Sequence, residues 1–392
     1  MLSHPTQYYS PWFRWLRTHT GIPFRVFYLW DFGVARRRDP GFGATFAWDV
    51  DLLSGYDHEF VPNLSRHPGA ERFFGFNNPG LAGRLAQWRP AAVLLFGYKW
   101  ASHMRVITWA WRTRTPLIFR GDSHLLGRGS PGPHVRLALR AVYSRFASFL
   151  YVGGANRDYF RQFGVPDSRL FFAPHSVDAD LFNPEAAGRR DSARAIRAQL
   201  GIAPGDRVVL FAGKLTAAKQ PAELLEAFIA LGRPDSSLVF VGDGPEKAAL
   251  QERARAAPGR RVHFLPFANQ SEMPARYLLG DLFALPSRGV YETWGLAVNE
   301  AMQMGVPCLV SDRVGCQRDL VTPGETGWVF DPGDPGALGA ALGRALDELS
   351  AAPRAAQIRG AVLRRISGYG YPRTTAGLLE ALAAMRLPVP NP

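Results

Sequence analysis

Short apolar runs alternate with segments in which apolar residues recur every three or four positions, and the alternation continues through both halves of the chain. The runs are rich in β-branched and aromatic residues and lack polar alternation. They predict strands buried on both faces, as in parallel sheets covered by helices. In the first half the predicted strands are Phe24 to Leu29, Ala91 to Phe96, Pro116 to Phe119, Phe149 to Val152 and Leu170 to Ala173. In the second half they are Arg207 to Ala212, Ser237 to Val241, Val262 to Leu265, Asp281 to Leu285, Cys308 to Val310 and Trp328 to Phe330. Between the halves, the polar and small-residue stretch Asn183 to Arg190 reads as a linker. The expected organisation is α/β twice over, with units at 1–185 and 186–366 and a closing helix and tail at 367–392, whose end from Leu387 to Pro392 should be disordered.

The start of the chain breaks the pattern. Met1 to Tyr9 reads as a strand-to-helix turn with almost no strand before it. A doubly wound sheet places its first strand centrally, so the expectation is a truncated first strand, or a reading frame that begins upstream, with neighbouring strands left exposed.

A chain of 392 residues is long enough for two apolar cores. Its two cysteines, Cys308 and Cys316, are too few for a disulfide framework and lack metal-site spacing; they read as ordinary thiols in a reducing compartment. No apolar run reaches the roughly 18 to 20 residues needed to cross a bilayer, so a cytoplasmic protein is expected. Charge is uneven: residues 1–184 hold 22 Lys and Arg against 12 Asp and Glu, whereas the remainder holds 24 against 21. Residues 101–150 alone carry eight Arg and one Asp. The predicted helix from His134 to Phe149 sets Arg136, Arg140 and Arg145 beside Leu137, Leu139, Val142 and Phe146, a face able to lean on an anionic membrane surface or simply to be solvated. No nucleic-acid-binding motif accompanies the charge.

The most informative stretch is Tyr291 to Ala301, where Glu292 and Glu300 lie eight residues apart across the start of a predicted helix opened by Gly295 and Leu296. A helix N-terminus offers unpaired N–H groups and partial positive charge to a diphosphate, while flanking carboxylates accept hydrogen bonds from sugar hydroxyls. Gly213-Lys214 and Lys219 follow a predicted strand at the end where open α/β sheets bind ligands, so both ammonium groups can neutralise a diphosphate leaving group. Gly242 and Gly244 flank Asp243 after another strand and would let backbone approach a ligand. Phe267 offers an aromatic face to a nucleobase, or else belongs to the core. In the first half Arg120, Asp122 and His124 follow a strand and are candidates to orient a donor sugar or receive an acceptor hydroxyl. The turn holding Gln7 and Tyr8 should face the second half's ligand side, as a candidate for acceptor contacts.

These residues together resemble a retaining glycosyltransferase of family 4, over almost the full length of the chain. The specific part is the Glu-seven-residues-Glu motif, Glu292 to Glu300, followed by Ala301, Gly305, Val306 and Pro307. Trp294 stands where Phe is commoner and Lys214 where Arg is commoner, Lys219 matches the diphosphate-binding Lys, and His175-Ser176 replaces the usual Asn-Gly before Val177-Asp178. The resemblance implies the GT-B fold, two Rossmann-like doubly wound domains facing each other across a cleft. It implies that Glu300 binds the ribose hydroxyls, that Glu292, Thr293 and the amides of Trp294, Gly295 and Leu296 hold sugar and phosphates, and that His124 corresponds to the family's first-domain active-site His.

The activity so implied is retaining, metal-independent transfer from a nucleotide-sugar donor to a glycan or lipid-linked acceptor, without a separate cofactor, in bacterial surface polysaccharide or glycolipid synthesis, with the protein peripheral on the inner face of the plasma membrane. Two other readings stay open. A sugar-nucleotide 2-epimerase uses the same scaffold without an acceptor, and a non-catalytic protein would bind anions or membrane without turnover. A dinucleotide oxidoreductase is disfavoured, since no Gly-rich fingerprint follows an early strand.

Overall fold

The computed structural model describes residues 1–39, 43–257, 259, 261–289 and 292–388. In the first unit, helix α1 (Tyr9–Thr20) precedes strands β1 (Val26–Tyr28), β2 (Arg37–Asp39), β3 (Ala44–Phe46) and β4 (His58–Phe60). Helix α2 (Leu81–Trp88), β5 (Val93–Phe96), α3 (Ala101–Thr113), β6 (Leu117–Arg120), α4 (Pro133–Tyr143), β7 (Ser148–Tyr151), α5 (Gly154–Gln162) and β8 (Leu170–Phe172) then alternate. Strands β5 to β8 form a parallel sheet in sequence order, β1 pairs in parallel with β4, and β2 with β3 forms an antiparallel hairpin. The helix predicted from His134 to Phe149 stops at Tyr143, because Ser148 and Phe149 are needed in β7.

The expected gap at the chain start has a defined geometry. Met1 and Leu2 lie between β1 and β5: Leu2 N–H donates to Phe27 O at 3.0 Å, Leu29 N–H to Leu2 O at 3.2 Å, and Phe96 N–H to Met1 O at 3.3 Å. The Met1 nitrogen donates to Leu94 O at 2.7 Å. Two residues thus stitch the β1/β4 pair to the larger sheet, giving β4-β1-(1,2)-β5-β6-β7-β8. Beside them an apolar cavity of about 730 Å³ opens, lined among others by Trp12, Phe24, Val26, Leu94 and Leu378.

In the second unit α6 (Arg189–Gln199) leads into β9 (Arg207–Ala212), α7 (Pro221–Leu231), β10 (Ser236–Val241), α8 (Lys247–Arg255), β11 (Val262–Leu265), α9 (Met273–Tyr277) and β12 (Leu282–Leu285). Helix α10 (Leu296–Gln303), β13 (Cys308–Ser311), α11 (Gln317–Leu320), β14 (Gly327–Phe330), α12 (Ala337–Ser350) and α13 (Ala352–Ser367) complete it. The six strands are all parallel, in the order β11-β10-β9-β12-β13-β14. Counted from β9 this is 3-2-1-4-5-6, the doubly wound Rossmann order, with its switch point between β9 and β12. Val208 to Phe211 and Leu282 to Leu285 are wholly buried, each large side chain contributing roughly 1.5–3 kcal/mol of burial. Cys308 and Cys316 are free, buried thiols of this core.

Helix α14 (Tyr371–Ala384) returns to the first unit, where it packs on β7, β8 and α1. Trp12 Nε1 donates to Thr375 Oγ1 at 2.9 Å, and Thr374 Oγ1 to Pro174 O at 2.8 Å. Of the tail expected to be disordered, residues 389–392 lie outside the described residues.

Candidate functional site

The switch point fixes where the site can be. Diverging crossovers on either side of β9 and β12 leave a crevice at the strands' C-terminal ends. The loop after β9 carries Gly213, Lys214 and Lys219, and the loop after β12 carries Glu292 and Thr293 on its way to α10. Lys219 folds back over Gly213 and its Nζ lies 2.6 Å from Glu292 Oε2, both side chains largely buried. Tyr291, which opens the motif, lies outside the described residues.

Glu300, one turn into α10, is 4% exposed. Tyr277 O–H donates to its Oε2 at 2.6 Å, while Oε1 has no hydrogen-bond partner. Burial raises the carboxyl to about 7, a rise opposed by Tyr277, by the Tyr8 phenol reaching over from the first unit, by Gln270 and by Lys219. A buried carboxylate oxygen without a donor costs stability unless a ligand satisfies it. At the mouth of α10, the N–H groups of Trp294, Gly295 and Leu296 donate to no backbone carbonyl among the described residues. Gly295 holds φ +96°, and a Cβ there would come within 2.8 Å of Val314 Cγ1, so glycine is required to turn the chain into the helix.

Two expectations need correction, for the Gly242/Gly244 turn and for Arg120. The spaces above Gly242 and Gly244 are not open to a ligand: a Cβ on Gly242 would meet Gly213 O at 2.0 Å, and one on Gly244 would meet Leu215 O at 2.4 Å. These glycines let the β9 and β10 loops pack backbone to backbone. The Trp294 indole is 2% exposed and donates to Asn299 Oδ1 at 2.7 Å, which leaves the expectation for its backbone amide untouched. Arg120 points into the protein, donating to Ala173 O at 2.8 Å and Pro174 O at 3.2 Å, and so pegs β6 to the end of β8.

His124 and Asp122 do reach the second unit. Leu126 N–H donates to His124 Nδ1 at 3.0 Å, so Nε2 carries the proton and donates to Glu292 O at 3.1 Å. Burial lowers the imidazole pKa, in keeping with this neutral form. Both ring nitrogens are therefore engaged in positioning the Glu292 loop. Thr293 Oγ1 donates to Asp122 Oδ2 at 2.9 Å, and His175 Nε2 lies 3.4 Å from the same oxygen. Burial tends to raise Asp122; His175 and Thr293 outweigh it and hold the carboxyl below its usual range. His175 O also accepts from Asn299 Nδ2 at 3.2 Å. Tyr8 packs against the second core and lies beside Glu300, with Glu292 also near. Phe267 is half-buried and meets Phe46 of the first unit, ring centroids 4.7 Å apart.

Reasoning from sequence missed Tyr277, Gln270 and Phe46. Tyr277 ends a short helix with no motif of its own and Gln270 lies in the loop before it, and Phe46 ends a three-residue strand.

Two doubly wound parallel units that bring their C-terminal strand ends together across a cleft define the GT-B class. Solved structures share this architecture: a glycosyltransferase from Rickettsia africae superposes with TM-score 0.72 at 12% identity, over 96% of this chain and 93% of the other. Anabaena HepE in complex with UDP and glucose superposes with TM-score 0.66 at 18% identity, over 95% and 94%. Residues 192–359 match the family model described as Glycosyl transferases group 1. A GDP-mannose-dependent alpha-(1-6)-phosphatidylinositol monomannoside mannosyltransferase of Mycolicibacterium smegmatis is 31% identical over 265 residues, 65% of this chain and 66% of that protein. A D-inositol 3-phosphate glycosyltransferase of Nocardia farcinica is 30% identical over 235 residues, 57% of this chain and 49% of that protein. The match thus spans between about half and two thirds of these relatives' length. The chain has the GT-B fold, and its sequence is similar to those of group 1 glycosyltransferases of the family 4 kind.

Proposed function

We propose that the protein is a retaining, metal-independent glycosyltransferase that moves a sugar from a nucleotide-sugar donor to a glycan or lipid-linked acceptor in bacterial glycolipid or surface polysaccharide synthesis. The observation that carries this reading is the meeting of Lys219, Glu292 and the opening of α10 at the switch point, with Glu300 buried beside them and one of its oxygens unpaired. In this reading Glu300 accepts from the ribose hydroxyls. Lys214, Lys219 and the α10 amides take the growing negative charge of the departing diphosphate, and Glu292 orients the sugar. No metal is needed for charge that two ammonium groups and a helix N-terminus already balance. The acceptor hydroxyl would attack from the face the diphosphate leaves, with Asp122 near its path, and the configuration at the sugar is kept. Closure of the two units would exclude water from the reacting sugar.

Helix α4 supports a peripheral place on an anionic membrane surface, on the cytoplasmic side. Val135 and Leu137 are 51% and 71% exposed, on the same helix as exposed Arg136 and Arg140. Among the described residues no helix is long and apolar enough to cross a membrane.

The test is thermal stabilisation by a panel of nucleotide sugars, GDP-mannose and UDP-glucose included, followed by NMR of the product formed with a lipid-linked acceptor. A donor that binds only the folded state raises the melting temperature, and transfer with retained anomeric configuration is the expected outcome. Isomerisation of the donor alone would favour the epimerase, and tight binding without turnover the non-catalytic protein.

A further inference from the structure

A second bridge between the units lies away from His124 and Glu292. Beyond the β2–β3 hairpin, residues 46–49 of the first unit reach the Phe267–Ser271 loop that follows β11. Asn269 Nδ2 donates to Ala47 O at 2.8 Å, and Asp49 N–H donates back to Asn269 Oδ1 at 3.3 Å. Ser271 N–H donates to Asp49 Oδ1 at 3.1 Å, and the Ser271 hydroxyl donates to Asp49 Oδ2. Phe46 packs on Phe267 with its ring tilted 35°, and Trp48 meets Phe46 edge-on at 5.0 Å.

The held loop is tied to the site at both ends. Phe267 N–H donates to Asp243 Oδ2 at 3.2 Å, which joins the loop to the end of β10, and Gln270 is buried beside Glu300. If Glu300 takes the ribose, the base must lie within one nucleoside length of it, on the β10/β11 side of the switch point. The half-buried aromatic surface there is the Phe46–Phe267 pair. Aromatic faces of this kind stack nucleobases.

We infer that the Phe46–Asp49 segment is a donor-binding arm: its Phe46 ring, contributed by the unit opposite the diphosphate groups, forms with Phe267 the wall that receives the nucleobase. The inference rests on the nucleotide-sugar reading above. It makes Phe46 a specificity-determining residue for the base, held in place by Asp49 through Asn269 and Ser271. Base recognition is then available when the arm is docked, and binding energy from the base helps hold the units together.

The test uses the full chain with UDP, GDP and inorganic pyrophosphate as probes, binding being read by calorimetry. Phe46→Ala should weaken UDP and GDP by about tenfold and narrow the difference between them, a loss that corresponds to roughly 1.4 kcal/mol, while pyrophosphate binding stays within twofold. Phe46→Leu, which keeps apolar bulk, serves if the alanine variant is unstable, and should still lose the base-dependent part. Asp49→Ala should weaken both nucleotides through the released arm. Equal nucleotide affinity in wild type and both Phe46 variants overturns the inference and leaves the nucleotide-sugar reading standing. Equal losses for nucleotides and pyrophosphate also overturn it, since the arm would then be a brace. A wild-type protein that binds neither nucleotide sinks the underlying reading instead.

Discussion

Lys219 Nζ and Glu292 Oε2 lie 2.6 Å apart across the crevice between β9 and β12, so the cation proposed to meet a diphosphate and the carboxylate proposed to orient a sugar hold each other in position. A charge-assisted pair at this depth orders both side chains, and removing either partner leaves the other half-buried and uncompensated.

Lys219→Ala should therefore keep the fold and lose transfer activity by about a hundredfold or more, the typical effect, roughly 3 kcal/mol, of deleting a group that stabilises developing negative charge. Circular dichroism checks the fold and initial rates of sugar transfer check the loss. Turnover near the wild-type level would show that Lys219 does not face the leaving group.

Glu300 sets a pH dependence of stability. Its folded pKa of about 7 lies above the ordinary 4.5, with burial as the main cause. The folded state binds the proton more tightly, so the contribution is fully present below pH 4.5 and is lost as pH rises through 7. The loss is on the order of 3 kcal/mol. Glu300→Gln should flatten this part of the profile and raise the melting temperature at pH 8, while weakening nucleotide binding. Denaturation midpoints of the two proteins at pH 5, 6, 7 and 8 decide it; parallel curves would count against a buried, titrating Glu300.

His124 should act through the backbone of Glu292. Its pKa is lowered, chiefly by burial, so its contribution is present above the ordinary imidazole range and is lost as pH falls through the depressed value. Protonation takes Nδ1 from Leu126 N–H. His124→Ala should raise the KM for donor several-fold and flatten the acid limb of the kcat/KM profile, because a hydrogen bond worth about 1 kcal/mol no longer fixes the Glu292 loop. An unchanged KM with an abolished kcat would instead make His124 a participant in the chemistry.

Asp319 ties the units together at the other side of the cleft. Both its oxygens accept from Gly154 N–H, at 3.0 Å each, at the start of α5. A carboxylate there also meets the positive end of the helix. Asp319→Asn should weaken docking by about 1 kcal/mol, seen as a larger radius of gyration in small-angle scattering. Identical scattering curves for variant and wild type would rule out a docking role.

Much of this could be read from the chain because it is local. Ten of the strands that build the two large sheets are apolar runs long enough to be seen in the sequence, from Val93–Phe96 to Gly327–Phe330. Lys219, Glu292 and Glu300 could be picked out as candidates from their places after strand ends and in the first turns of α10, and the fold brings Lys219 and Glu292 together. What was hidden depends on distance between units. The Arg37–Asp39 and Ala44–Phe46 strands are three residues each, the first made of charged residues, and only the approach of Phe46 to Phe267 gives the hairpin meaning. The approach of Tyr8 to Glu300 joins residues far apart in the chain. The glycines of the β10 loop were legible as turn residues, but what fills the space above them was not, since that is set by the neighbouring β9 loop.

The contacts from His124, Thr293, Asn269, Asn299 and Gly154 all cross between the units. Each is modest, and we expect them to yield together when a bulky molecule enters. Entry then has its own clock: the observed association rate should level off at high donor concentration, at a ceiling set by the protein's own opening and not by diffusion.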